Sequence, residues 1–176
     1  MLRLIAPMVF LVLAAGARAE TAPPVTLDAD LRAALAGLAP LAGPAPELAA
    51  GRPVVVTFFA SWCPPCRDEF RHLGAVLDDA ATAGTTVIAI NWHEDFGGTS
   101  RPARLTRFLK LAHPRMSVLT GTSDVVAAFG DVPRIPSLWV FDREGREVHR
   151  FVHGRGATKT HATQAEVRAA LLRSGA

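Results

Sequence analysis

The chain has 176 residues, 49% of them hydrophobic and 20% charged, with a formal net charge of +3. That length suits one domain, and the apolar share is large enough for a packed core, which excludes wholesale disorder. Seventeen of the nineteen basic residues are arginine, none of them in a long run, so the charge gives no argument for a nucleic-acid partner.

Residues 1–19 read as a secretory signal. Arg3 is the positive start, and residues 4–15 form an apolar run shorter than the roughly 20 residues of a spanning helix. Ala17-Arg18-Ala19 is a small-x-small site, which predicts cleavage after Ala19. The alternative is an uncleaved signal acting as a membrane anchor, disfavoured by Pro7 and by the short run. Without Arg3 and Arg18 the net charge falls from +3 to +1. An exported chain meets an oxidising compartment, where its two cysteines readily form a disulfide.

Residues 20–52 form an N-terminal extension ahead of the main domain, 53–176. Leu27, Leu31, Leu35 and Leu38 share a helical spacing, with Thr26 or Asp28 as the cap. Pro40, Gly43, Pro44 and Pro46 then interrupt regular structure. Residues 54–59 (VVVTFF) predict a strand buried on both faces. A turn at 60–65 leads into a helix that runs to about Ala80, and residues 85–91 (TTVIAIN) predict the next buried strand. Strand, helix and strand of these lengths make a right-handed parallel βαβ unit.

Residues 92–102 form a loop at the carboxyl end of that strand, the edge where active-site loops of open α/β sheets collect. A helix follows over 101–112, stopped by Pro114, then a short strand over 116–119 and a short helix over 123–129. The strand 138–141 turns through Asp142-Arg143-Glu144-Gly145 into the strand 147–152. In that last strand Val148 and either Phe151 or Val152 face inward. The final helix opens with a capping box, Thr163 and Glu166, and buries Val167, Ala170 and Leu171.

The chemistry gathers at Cys63-Pro64-Pro65-Cys66, where the first strand meets its helix; a CxxC pair in this setting signals a thioredoxin-like redox site. A disulfide across two residues closes too small a loop to stabilise the fold much, so a purely structural staple explains the pair poorly. Cys63, at the helix N-terminus, is the candidate nucleophile, because unpaired N–H groups and the helix dipole favour the thiolate there. Cys66, one turn on, is the resolving thiol. Pro65 presets the helical φ and removes a donor, and Trp62 shields one side. Thr57, in the strand before, cannot ionise. Glu69, three residues after Cys66 on one helix face, is the candidate acid–base partner; on an exposed helix it is instead a plain surface carboxylate. Ile135-Pro136, directly before an apolar strand, is a candidate cis bond expected to face Cys63.

With FFASWCPPC, the Glu69 of CPPCRDEF, TTVIAIN and IPSLWVFDREGREVHRFVHG in motif order, the chain resembles the exported thioredoxin-like proteins of the TlpA/ResA/CcmG group from about Pro53 onward. The resemblance implies an α/β fold of three layers, a central mixed sheet flanked by helices, with the group's insertion between the second sheet strand and the cis-proline. It implies a periplasmic protein disulfide reductase with catalytic Cys63, Cys66, Glu69 and Pro136, and with Trp62, Pro64, Pro65 and Ile135 touching the substrate. It implies no cofactor beyond the Cys63–Cys66 disulfide and no metal. The implied partners are a protein with a disulfide or thiols, such as an apocytochrome c, and a membrane electron donor of the CcdA/DsbD kind. Arg71 stands where members often have proline, Ile135 where many have threonine, and the segment before Gly51 lacks the usual hairpin pattern.

Two rival functions share the fold. One is a dithiol oxidant of the DsbA kind, a group with a larger helical insertion and a different motif interior. The other is a copper chaperone of the Sco kind, with two cysteines and His93, His149 or His153 as the distant ligand, a soft thiolate–imidazole set suited to copper. That pattern has three residues between its cysteines, and here there are two. A third reading, a binding module with an incidental disulfide, fits poorly with an exported CxxC flanked by Trp62 and two prolines.

Overall fold

A computed structural model describes residues 22–98, 101–154 and 158–173. The segment read as a signal, 1–19, lies outside the described residues.

The fold follows from strand β2 (Val54–Phe59), whose six residues are all buried. An apolar run with no polar face is stable only with cover on both sides, and it lies in mid-sheet. It pairs in parallel with β3 (Thr86–Asn91) and antiparallel with β5 (Ser137–Phe141). Helix α2 (Pro64–Asp78) makes the crossover from β2 to β3. On the far side of β3, β4 (Ser117–Thr120) pairs in parallel. Strand β6 (Glu147–Val152) closes the other edge as the antiparallel partner of β5. The segment set apart as an extension adds a further edge strand, β1 (Pro40–Ala42), against β4, so the six-stranded order is β1-β4-β3-β2-β5-β6.

Adjacent strand residues point to opposite faces, and Phe58 and Phe59 show the two layers this creates. Phe59 packs against Phe70 of α2 and Phe108 of α3 (Pro102–Leu109), with ring centroids 4.8 and 5.1 Å away. Phe58 packs edge-on against Trp139 of β5 and against Phe129, which caps α4 (Ser123–Ala128), at 5.6 and 5.1 Å. Helix α5 (Gln164–Arg173) packs beside α2, and α1 (Ala29–Ala36) beside α4. The sheet is thus the middle of three layers. Between β3 and Pro136 lie α3, β4 and α4.

Local sequence accounts for the ends of these elements. Asp28 is the cap of α1 and accepts the N–H of Leu31 at 2.9 Å, whereas Thr26 bridges to Arg146. The Thr163–Glu166 capping box forms at α5: the Thr163 N–H donates to Glu166 at 3.0 Å and the Glu166 N–H to Thr163 Oγ1 at 3.4 Å. Gly145, at φ +82, closes the β5–β6 turn. In β6 Phe151 is the buried residue, while Val152 faces out.

Candidate active site

Cys63 is the N-cap of α2 and makes no side-chain capping bond; Pro64 and Pro65 occupy the first turn. Proline suits that position, where its missing N–H would have no helical partner. Cys63 and Cys66 are joined in a disulfide with Cα atoms 5.4 Å apart. Both cysteines are buried, Cys66 slightly the more covered, while Pro64 is exposed and Pro65 half-buried.

Glu69 lies on the same face of α2, one turn beyond Cys66, and is 1% exposed. It is not the surface carboxylate that an exposed helix would carry. Thr57 of β2 donates its hydroxyl to Oε1, and the Ala162 N–H donates to Oε2 at 3.3 Å. Burial pushes the carboxyl up to about 7, although both hydrogen bonds favour the ionised form. Thr57 reaches Glu69 because it shares the α2-facing side of β2 with Phe59. Its hydroxyl also lies 3.3 Å from the Ser137 carbonyl, a second acceptor.

The Ile135–Pro136 peptide is cis. Phe58 of β2 is opposite Ser137 of β5, so Pro136 sits at the end of the sheet where β2 runs into Cys63. Ile135 is buried, and its carbonyl lies 3.2 Å from His153 Nδ1.

Trp62 is half-buried and faces the loop after β3: its indole N–H donates to the His93 carbonyl at 2.8 Å, and its ring stacks on Phe96 at 5.5 Å. The same loop supplies Glu94. Its carboxylate accepts the Ser61 N–H at 2.8 Å, the Ser61 hydroxyl and the Asn91 side-chain amide at 2.9 Å. Arg104 of α3 lies 3.7 Å from Glu94 and donates to Ser61 Oγ at 2.9 Å. The turn that presents Cys63 is therefore fastened to β3 and α3 through one carboxylate.

Sequence reasoning places the 92–102 loop at this edge but does not single out Glu94 from its neighbour Asp95. Nor does it foresee Thr57 as a partner of Glu69; the period-two alternation of β2 is the signal that would have paired them. Among the described residues no group of three or more His, Cys, Asp or Glu is placed to hold a metal ion. Of the three histidines offered as a distant copper ligand, His149 sits on β6, while His93 and His153 line a groove with Trp62.

What the arrangement can do is thiol–disulfide exchange: two sulfurs at a helix start, and a buried carboxyl one turn on that changes charge near neutral pH.

The chain is similar to several known proteins. The thiol-disulfide oxidoreductase ResA of Bacillus subtilis (strain 168) is 26% identical over 98 residues, 56% of this chain and 51% of its own length. This chain therefore spans about half the length of that curated relative. A thiol:disulfide interchange protein of the thioredoxin family from Chlorobium tepidum TLS superposes with a TM-score of 0.56 at 25% identity, over 71% of this chain and 81% of its own. The N-terminal domain of PilB from Neisseria gonorrhoeae shares the fold, with a TM-score of 0.59 at 19% identity over 83% and 93% of the two chains. The Redoxin family model matches residues 44–171, a span that takes in every strand from β2 to β6 with Cys63, Cys66, Glu69 and Pro136 among them, and the chain belongs to that family.

Proposed function

We propose that this chain is a periplasmic protein disulfide reductase that works through Cys63 and Cys66. The observation that carries the reading is the pair of buried groups one helical turn apart, Cys66 and Glu69, whose carboxyl burial pushes up to about 7 against the hydrogen bond from Thr57. In the reduced protein the Cys63 thiolate attacks one sulfur of a target disulfide. A mixed disulfide forms, and the target's other sulfur leaves as a thiolate. Cys66 passes its proton to the Glu69 carboxylate, and its thiolate attacks Cys63 Sγ. The Cys63–Cys66 disulfide forms and the target's second thiolate is released, so two electrons pass from this protein to its target. Pro136 and Ile135, at the same end of the sheet, are the surface on which the target chain lies, together with Trp62 and the exposed Pro64 ring.

Resetting the site needs two electrons from outside. A membrane dithiol donor of the CcdA/DsbD kind supplies them, and an apocytochrome c is a target that the resemblance to ResA-like proteins supports. Residues 1–19 act as a signal removed after Ala19, and the domain proper runs from 53, after an N-terminal extension over 20–52.

The test is a trap. C66S is expressed in the periplasm of its own cell, and disulfide-linked species are isolated by non-reducing electrophoresis and identified. The expected result is a defined set of cysteine-containing exported proteins, absent from the C63S/C66S control. If no adduct accumulates and the wild-type protein, once reduced, leaves insulin disulfides intact, the reading fails.

A further inference from the structure

Beside the cysteines lies a groove of about 330 Å³ formed by the loop after β3 and the segment that leads into Pro136. Its walls are Trp62, His93, Phe96, Ile135 and His153, with Arg134 between them. Two features set it apart. Phe96 is 67% exposed, the largest exposure of any large apolar side chain among the described residues, although its ring stacks on Trp62. Arg134 is half-buried, yet among the described residues its guanidinium makes no hydrogen bond, ion pair or ring contact. The other half-buried arginines all have partners. Arg32 donates to the Leu27 and Leu48 carbonyls, Arg104 to Ser61 and Arg150 to Glu147. No acidic side chain lines the groove, and its other ionisable members are imidazoles.

A guanidinium partly withdrawn from water, with its planar fork of donors unused, matches a carboxylate supplied from outside. An exposed aromatic face beside it matches an apolar side chain. We propose that this groove is a specificity site for a partner polypeptide that carries an acidic residue next to its reacting cysteine, with Arg134 pairing the carboxylate and Phe96 covering the neighbouring apolar side chain. The inference rests on the disulfide-reductase reading above and adds the chemistry of the target. The groove touches Trp62, which precedes Cys63, and Ile135, which precedes Pro136, so a chain seated in it brings its cysteine toward Cys63.

The experiment compares three otherwise identical peptides, each with one cysteine in mixed disulfide with 2-mercaptoethanol and with Glu, Gln or Lys beside it. Second-order rates with the reduced protein are measured by acid quench and mass spectrometry at low and high salt, with neutral 2-hydroxyethyl disulfide as the reference substrate. The expected result is a Glu-to-Lys rate ratio of roughly tenfold at low salt that shrinks at high salt, since pairing of this kind acts mainly on encounter and is screened. R134Q brings the ratio close to one, R134K keeps most of it and R134E reverses it. A ratio near one in the wild-type protein overturns the inference, as does a preference that survives R134Q. Oxidised glutathione reacting as fast as the Glu peptide overturns the polypeptide as occupant. If the reference disulfide is not reduced either, the reductase reading falls and takes this inference with it, an outcome distinct from a flat ratio among reactive peptides.

Discussion

The Thr57 hydroxyl donates to the Glu69 carboxylate inside the layer between β2 and α2, where neither group reaches solvent. A threonine and a glutamate twelve residues apart thus form a polar contact between that strand and that helix at their buried centre.

Stability should carry the signature of Glu69. Its carboxyl titrates at about 7 when folded, against an ordinary 4.5 when exposed, so between those values the folded protein binds the extra proton. Stability therefore falls as pH rises from about 4.5 to 7 and is flat beyond, with a total loss of about 3 kcal/mol. Urea midpoints of the oxidised protein measured across that window, taken as a difference from E69Q, should show the fall. A difference that is constant with pH would place the titration elsewhere.

Replacing Glu69 should separate the two halves of the reaction. In E69Q the first attack by Cys63 should change only a few-fold, while resolution by Cys66 slows by about 10²-fold for want of a proton acceptor. Stopped-flow kinetics of mixed-disulfide formation and decay give both rates. Equal slowing of the two would assign Glu69 a purely structural part.

Thr57 acts through Glu69. T57V removes a donor that favours the ionised carboxylate, so the pH midpoint of the resolution step should move upward, and T57S should restore it. The measurement is the pH–rate profile, because a simple packing defect would lower stability without moving that midpoint.

Glu94 holds the cysteine turn to the loop and to α3. E94A leaves the Ser61 N–H and the Arg104 guanidinium without that acceptor, and the cost should be about 2 kcal/mol. Denaturant unfolding checks the magnitude, and near-ultraviolet dichroism of Trp62 should weaken as its bond to the His93 carbonyl loosens.

Far from the site, T163A should lower stability by about 1 kcal/mol through loss of the α5 cap, with no change in exchange rates.

Much of this was legible in the chain because its signals are local. The continuous apolar run of β2, the helical spacing of Phe70, Leu73 and Leu77, and the capping box at Thr163 each fix an element within a residue or two. The Asp142–Gly145 hairpin likewise announces itself by its turn residues. What stayed hidden depends on partners distant in sequence. Strand β1 is three residues among prolines and exists because β4 offers it an edge. Glu94 looks like any loop carboxylate until β3, α3 and the turn before Cys63 converge on it. In the sequence Thr57 is only a side chain that cannot ionise; its use as a donor appears once α2 is laid over β2.

The opposed aromatics of β2 carry a last consequence. Phe58 fills one layer and Phe59 the other, and Thr57 shares a side with Phe59. A slip of β2 by a single residue would turn the hydroxyl away from Glu69, strand that carboxyl without a donor and send each ring into the wrong layer. The group that serves the redox chemistry therefore also acts as a proofreading mark for strand alignment: misaligned chains are penalised at the site they would have built.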